Sequence, residues 1–172
     1  MKKNDLVSQA MAYGLILGGF ETLKYIISVN ASEGGLISYL YIAGVVITPL
    51  IAYIFAKRFC ETQEISTVKF GRIFSFTVNL FFFAALIAAI AQYIHLQYID
   101  KTYLATQFEK AQEILKGSNM MIELNSAVEK QGIPSAIKTT VMSIYTSTMY
   151  GVILALPIAA VLNNKFRRRR IF

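Results

Sequence analysis

The chain has 172 residues, a mean hydropathy of +0.50 and a formal net charge of +7 at pH 7. Hydrophobic residues make up 55% and charged residues only 16%, which excludes a disordered chain and disfavours an ordinary soluble domain. Cys60 is the only cysteine, which excludes an intrachain disulfide, and a single histidine leaves too few ligands for an ordinary zinc site. We therefore predict no metal and no cofactor.

Three long stretches contain no Asp, Glu, Lys or Arg. They cover residues 36–56, 73–99 and 139–164 and are 21, 27 and 26 residues long. A helix needs roughly 20 apolar residues, at ~1.5 Å per residue, to cross the ~30 Å hydrocarbon core of a bilayer. Each stretch therefore predicts a transmembrane span, and we expect the last one to cover residues 139–162.

A weaker first span is predicted at residues 6–29, where Glu21 and Lys24 interrupt the apolar pattern. A cleaved signal peptide is the alternative, because Lys2 and Lys3 provide a basic start. A signal core is a short, unbroken apolar run directly before the cleavage site, and here a glutamate and a lysine occupy that place. We therefore interpret the segment as a retained helix.

Residues 100–138 form the only sizeable segment outside the predicted spans. Apolar side chains recur there at offsets of four, three and four, which predicts one face of an amphipathic helix. This face consists of Leu104, Phe108, Ala111 and Leu115. Gly117 is expected to end this helix before a second short one begins. Without Pro or Gly between residues 72 and 116, the third span is free to project past Asp100 as one helix, and the sequence leaves open whether it breaks there.

Basic residues are distributed unevenly among the links and tails. If both termini are cytoplasmic, eleven Lys and Arg residues lie on the inner side and five on the outer side, where they are mixed with five acidic residues. The positive-inside rule then places residues 100–138 outside, and four crossings satisfy the parity. For a bacterial cell this predicts a multi-pass inner (cytoplasmic) membrane protein with both termini in the cytoplasm.

Glu21 is the most informative single residue, because an ionised side chain at its depth costs about 2.5–3.5 kcal/mol on insertion scales and needs a partner. Lys24 lies on the same helix face. Further polar side chains are expected at comparable depth, which predicts a binding site. Its candidate residues are Glu21, Lys24, Tyr25, Tyr145 and Thr148. The structural alternative is that the Glu21–Lys24 pair only fixes helix register.

A run of four arginines follows the last span: Arg167, Arg168, Arg169 and Arg170. The run enforces topology, binds anionic lipid head groups or docks an acidic partner. The lipid interpretation fits a basic run next to a span, at about 1 kcal/mol per residue. Nucleic-acid binding is disfavoured, because no recognised nucleic-acid module accompanies the run. The sequence also contains no phosphate-binding loop and no hydrolase signature, so we predict no catalytic residues and no enzyme.

Three features carry a resemblance to a known family: the glycines of the first span (Gly14, Gly18 and Gly19), the end of the third span, which reads YIHLQYIDKTY from Tyr93 to Tyr103, and the helical segment before the last crossing. In these features the chain resembles the bacterial membrane-protein family of domain of unknown function 4199, common in Bacteroidetes. The resemblance implies a membrane fold and location, and an association with envelope glycosyltransferase systems. It implies no activity and no site residues.

We thus predict an all-α, integral membrane four-helix bundle that forms a single membrane domain over residues 1–172. Spans cover residues 6–29, 36–56, 73–99 and 139–162, short amphipathic extracytoplasmic helices lie within 100–138, and a cytoplasmic basic tail covers 165–172. The leading function is a non-enzymatic scaffold or accessory subunit of an envelope membrane complex. Its partners would be anionic lipid and either another membrane protein or a further copy of the chain, docked on the face of Leu104, Phe108 and Leu115. The alternative is an oligomeric small-solute or ion transporter or channel component that uses the intramembrane Glu/Lys/Tyr site.

Overall fold

A computed structural model describes residues 6–30, 35–64 and 67–168 and shows an all-α protein, without strands in these ranges. The helices in chain order are α1 (Leu6–Val29), α2 (Leu36–Glu61), α3 (Phe70–Ile94), α4 (Tyr103–Ile114), α5 (Asn119–Gln131) and α6 (Ala136–Arg168). Four basic residues that contribute to the predicted charge bias lie outside the described residues: Lys2, Lys3, Arg169 and Arg170.

Two helices, α2 and α6, extend beyond the apolar runs that predicted them. The bounds of α1 agree with the prediction, whereas α2 continues past residue 56 to Glu61 and α6 extends the last predicted span at both ends. Lys57 and Arg58 mark the end of the apolar run rather than the end of the helix, because both are good helix formers. The positions of the charged residues therefore predicted the ends of the apolar runs but not the ends of the helices.

Among the described residues, three helices are long and apolar enough to cross a membrane: α2, α6, and α3 together with the segment that follows it. α1 has 24 residues, but Glu21 and Lys24 lower its hydropathy, so α1 is not among them. Only 17% of the most apolar window of α2, and 22% of that of α6, is buried within the protein. Such extensive apolar exposure is consistent with a membrane protein, because soluble proteins rarely expose large apolar surfaces.

The chain divides into two compact units. The first unit contains residues 1–88 and 143–172, and the second contains residues 89–142. In the first unit α1, α2 and the adjoining parts of α3 and α6 pack around one apolar core. Its largest fully buried members include Leu17, Phe59, Phe76, Leu80 and Leu162.

Aromatic contacts fix the direction of neighbouring helices in the first unit. The Tyr13 ring of α1 stacks on Phe55 of α2 at a centroid distance of 4.9 Å, and Phe59 of α2 stacks on Phe76 of α3 at 4.2 Å. Further along α1, Lys24 contacts α2 at Thr48, so the contact partners run backwards along α2 as α1 runs forwards. α1 and α2 are therefore antiparallel neighbours.

Glycines let α1 approach α3 closely. A Cβ atom added at Gly14 would lie 2.6 Å from the Cβ of Phe83, and one at Gly18 would lie 2.7 Å from the Cβ of Ile87 and 2.9 Å from the carbonyl oxygen of Ala84. Because both contacts move forward along both helices, α1 and α3 run parallel. Gly14 and Gly18, four residues apart on α1, thus form a packing face within the chain.

On α6, Gly151 makes an equally close approach to α3. An added Cβ there would lie 2.6 Å from Cγ of Phe81, and the Phe81 ring meets Tyr150 edge-on at 5.9 Å. Ala155 and Ala159, which follow at the same four-residue spacing, are fully buried. These three small residues of α6 therefore also form an internal packing face.

In the second unit the third predicted span does not continue as one helix. A π-helical segment, His95–Ile99, follows α3, and Asp100 is extended, with φ −132° and ψ 90°. The Asp100 carboxylate accepts hydrogen bonds from the backbone N–H and the hydroxyl of Thr102, at 3.0 and 2.8 Å. This local bonding offers the backbone an alternative to the helix, and it holds the pKa of Asp100 below its ordinary value. An aspartate thus breaks the helix without a proline.

α4 and α5 form a helical hairpin within the second unit. Gly117, with φ +84°, lies in the turn between them, and Gly132, with φ +69°, ends α5. Both positions have the left-handed backbone conformation that favours glycine. The Gln112 amide of α4 donates to Asn125 of α5 at 2.7 Å. The predicted pair of short helices separated near Gly117 is confirmed.

The close approach of α1 and α3 predicts different effects for two adjacent glycines. Gly18→Ala should lower the free energy of unfolding by about 1–3 kcal/mol, because the new methyl group meets the α3 backbone, which cannot rotate away. Gly19→Ala is the matched control, since the space around Gly19 is open. Thermal unfolding of both variants in detergent tests this. Equal stability of the two variants would exclude the close approach.

Candidate functional site

Glu21 and Lys24 form an ion pair one helical turn apart on α1. Lys24 Nζ lies 2.6 Å from Glu21 Oε2, and the two side chains are 15% and 22% exposed, respectively. Their spacing of three residues places both on one face of the helix. Glu21 was predicted to need a partner because of its depth, and Lys24, the nearest basic residue in the sequence, is that partner.

Thr48 of α2 completes the pair. Its hydroxyl donates to Glu21 Oε1 at 2.8 Å and accepts from Lys24 Nζ at 3.1 Å. The same hydroxyl lies 3.1 Å from the carbonyl oxygen of Gly44, one turn earlier on α2. Thr48 is 1% exposed, so these bonds lie away from solvent. We call Glu21, Lys24 and Thr48 the charge triad.

Gly44 allows the lysine to reach this position. The Cγ and Cδ atoms of the Lys24 side chain lie over Gly44, where an added Cβ would come within 3.2 Å of both. The aliphatic stem of Lys24 thus covers an apolar stretch of α2 while its ammonium group turns to Glu21 and Thr48. The charge triad joins α1 to α2, and its charges cancel within it.

A small cavity of about 40 Å³ borders the charge triad. It is lined by Glu21 of α1, by Phe81, Ala84, Ala85 and Ala88 of α3, and by Ser147 and Tyr150 of α6. This volume exceeds the ~10–15 Å³ that one water molecule requires, and a carboxylate with two hydroxyl-bearing residues in the lining provides polar partners. The cavity can therefore hold water or a ligand of similar size.

The structure separates the five predicted binding residues. Glu21 and Lys24 meet, whereas Tyr25, Tyr145 and Thr148 are not in the cavity lining. Tyr25 is half-buried, and its carbonyl oxygen accepts the Ser28 hydroxyl. Tyr145 is 59% exposed, and the Thr148 hydroxyl donates to the Ile144 carbonyl of its own helix at 2.8 Å. On α6, the neighbouring Ser147 and Tyr150 take the expected place beside Glu21.

A second polar connection, which the sequence did not reveal, joins α1, α2 and α3. The Arg72 guanidinium donates to Gln63 Oε1 at 2.8 Å, and Gln63 Nε2 lies 3.4 Å from the Thr62 hydroxyl, which in turn donates to Gln9 Oε1 at 3.1 Å. Gln63 is 8% exposed although it follows a charged helix end. The sequence around Gln63 is rich in charged residues, as is typical of a solvated link between helices. No sequence pattern therefore indicated that Gln63 is buried.

The predicted lipid and partner residues have different surroundings. Arg167 is exposed, the structure describes the backbone of Arg168 but not its side chain, and Arg169 and Arg170 lie outside the described residues. Leu104, Phe108 and Leu115, the predicted partner face, are all half-buried. The most exposed apolar side chains of α4 and α5 are Ile114, Ile122 and Met120, at 76%, 70% and 65%.

Within the described part of the chain, no group of three or more His, Cys, Asp or Glu side chains lies close enough together to hold a metal ion.

Comparison with known proteins identifies a family. The family model described as "Protein of unknown function (DUF4199)" matches residues 12–164, which confirms the resemblance drawn from the glycines and the end of the third span. No curated protein and no solved structure matches the chain.

We expect that removing one partner of the ion pair in the charge triad lowers the free energy of unfolding more than replacing both partners does. Lys24→Met should cost about 3 kcal/mol, because it leaves the Glu21 carboxylate without a counter-ion, and the double variant Glu21→Gln/Lys24→Met should recover part of that loss. Thermal unfolding in detergent measures both.

The exposed pair Lys57–Glu61, at 3.7 Å, provides the matched control. Lys57→Met should cost less than about 1 kcal/mol, because solvent screens that pair. If Lys24→Met and Lys57→Met were equally stable, the pair in the charge triad would carry no special role.

Proposed function

The chain belongs to the DUF4199 family, whose description names no activity, and we propose that it is a four-crossing membrane protein that acts as a scaffold or accessory subunit of an envelope membrane complex. The observation that carries the fourth crossing is the charge triad. A glutamate and a lysine within the second half of a membrane-crossing helix need partners, and the triad provides them by packing α1 against α2.

The direction of the helices supports α1 as the fourth crossing. α1 runs parallel to α3 and antiparallel to α2, both of which are long and apolar enough to span. At the level of Glu21, α1 meets Thr48, close to the midpoint of α2 (Leu36–Glu61). α1 therefore accompanies two candidate spans through their middle, rather than ending at the membrane surface. This is the geometry of an up-and-down bundle.

The orientation follows from charge. Since the basic residues gather at the termini and in the link between α2 and α3, the positive-inside rule places these parts in the cytoplasm and residues 100–138 outside. We assign the protein on this basis to the inner membrane of a bacterial cell, with both termini cytoplasmic.

The scaffold role rests on the hairpin of α4 and α5. Its exposed apolar residues, Ile114, Met120 and Ile122, lie among charged ones. Exposed apolar side chains framed by polar ones are typical of protein–protein contact surfaces. We propose that these exposed residues, together with the predicted partner face of Leu104, Phe108 and Leu115, bind another membrane protein or a second copy of the chain. The polar groups of the charge triad serve helix packing in this account, with no catalytic role.

The cavity beside Glu21 favours a second candidate function, a small-solute or ion transporter or channel component. A cavity of about 40 Å³ next to a carboxylate accepts only a very small solute, so this function would require several copies to build a pathway. It would be supported if Glu21→Gln abolished solute uptake while thermal stability was retained.

Photo-crosslinking in the native membrane tests the scaffold function. A benzoyl-phenylalanine at Met120 or Ile122 should yield one defined adduct, either a partner protein or a dimer, because these side chains point out of the hairpin. Lys110, exposed on the same hairpin, is the matched control position and should yield far less of that adduct. Crosslinks of equal yield at both positions, or none at either, would contradict the proposal.

A further inference from the structure

Four exposed basic side chains of the first unit have no counter-ion among the residues that the structure describes. Arg58, Lys69, Lys165 and Arg167 form no side-chain hydrogen bond or ion pair within the described part of the chain. By contrast, Lys24 is held in the charge triad and Lys57 pairs with Glu61. We call these four residues the basic surface.

The members of the basic surface come from distant parts of the sequence but reach one end of the first unit. Phe81 of α3 contacts Gly151 of α6. Ala84, Ala85 and Ala88, which follow Phe81 on α3, line one cavity with Ser147, which precedes Gly151 on α6, so the two helices run antiparallel. Phe70 at the start of α3 and Leu162 on α6 lie the same number of residues from the contact, and hence at the same level.

The end of α2 and the start of α3 meet through the hydrogen bond from Arg72 to Gln63, which brings Arg58 and Lys69 to the same end. Phe166 and Val68, which neighbour the basic residues in sequence, are both buried in the core of the first unit.

The opposite end of the first unit lacks such charge. Residues 25–56 of α1 and α2 and residues 143–164 of α6 contain no lysine or arginine. The unit is thus cationic at one end only. Basic residues that only increase solubility need not gather at one end of a protein. Basic residues that contact the head groups of one membrane leaflet must do so.

The acidic residues nearby are too few to neutralise the surface. Glu61 is engaged by Lys57, and Glu64 is the other carboxylate described in the link between α2 and α3. Phe70, directly after Lys69, is 39% exposed and offers an apolar contact beside the cation. A cation with an adjacent apolar ring fits a phospholipid, whose phosphate and acyl chain leave the glycerol in different directions.

We propose that the basic surface is a binding site for anionic phospholipid, with Arg58, Lys69, Lys165 and Arg167 contacting the phosphodiester head group. This inference rests on the proposed membrane-crossing function, which places the surface at the cytoplasmic leaflet. It also goes beyond the topological role of such residues. A topological signal acts during insertion, whereas a lipid site selects its lipid in the finished protein.

Native mass spectrometry of the full-length protein in detergent tests the site. Phosphatidylglycerol, titrated against phosphatidylcholine, should bind preferentially. The variant Arg58→Gln/Lys69→Gln should weaken phosphatidylglycerol binding about 25-fold, at about fivefold for each cation removed near an anionic surface. Added salt should weaken binding to the unaltered protein as well, because it screens exposed charges.

The control variant Lys116→Gln/Lys130→Gln removes the same charge from exposed lysines of the second unit and should change binding by less than twofold. Equal binding of the two lipids, or equal losses in the two variants, would overturn the proposal. Because the titration is done in detergent, it does not depend on which way the protein crosses a membrane. A wrong orientation would therefore be recognised separately, by the side from which a cysteine at position 165 is labelled.

Discussion

The arrangement of α1 depends on how two charges are accommodated among apolar helices. Glu21 and Lys24 are bonded to each other and to one hydroxyl of α2, so that a carboxylate, an ammonium group and Thr48 form a closed set. In a medium without water each of these groups alone would be costly, and together they hold α1 against α2. Two charges that look unfavourable in the sequence thus help to join α1 to α2.

The glycines and the charge triad act together on α1. Gly14 and Gly18 bring one face of α1 against the α3 backbone, and Gly44 lets the Lys24 stem lie along α2. Between apolar helices in lipid, close contact and hydrogen bonding replace the hydrophobic effect as the source of association. Many exposed side chains of α2 and α6 are apolar, which is consistent with contact with lipid, while the exposed cations of the first unit gather at one end.

Periodicity and charge predicted the helices well, because long apolar runs leave few alternatives: α1 has the predicted bounds, and the hairpin turn lies at Gly117. The break at Asp100 could not be predicted, since it depends on a side chain that hydrogen-bonds to Thr102 instead of continuing the helix.

Within the site, spacing predicted the Glu21–Lys24 pair. Thr48 lies on another helix, and its register against α1 is set by packing. Tyr25 and Tyr145 were predicted to lie beside Glu21 from their comparable depth alone, and depth does not determine the direction in which Tyr145 points from α6.

The central claim is that α1 crosses the membrane because its charges are paired. Two single-cysteine positions test it most directly in intact cells: Lys3→Cys before α1 and Asn30→Cys after it, each probed with a membrane-impermeant thiol reagent. Native Cys60 is 1% exposed and should contribute little background. We expect labelling at position 30 from outside, and labelling at position 3 only after the membrane is permeabilised. Labelling of both positions from the same side would show that α1 does not cross, and would contradict the account.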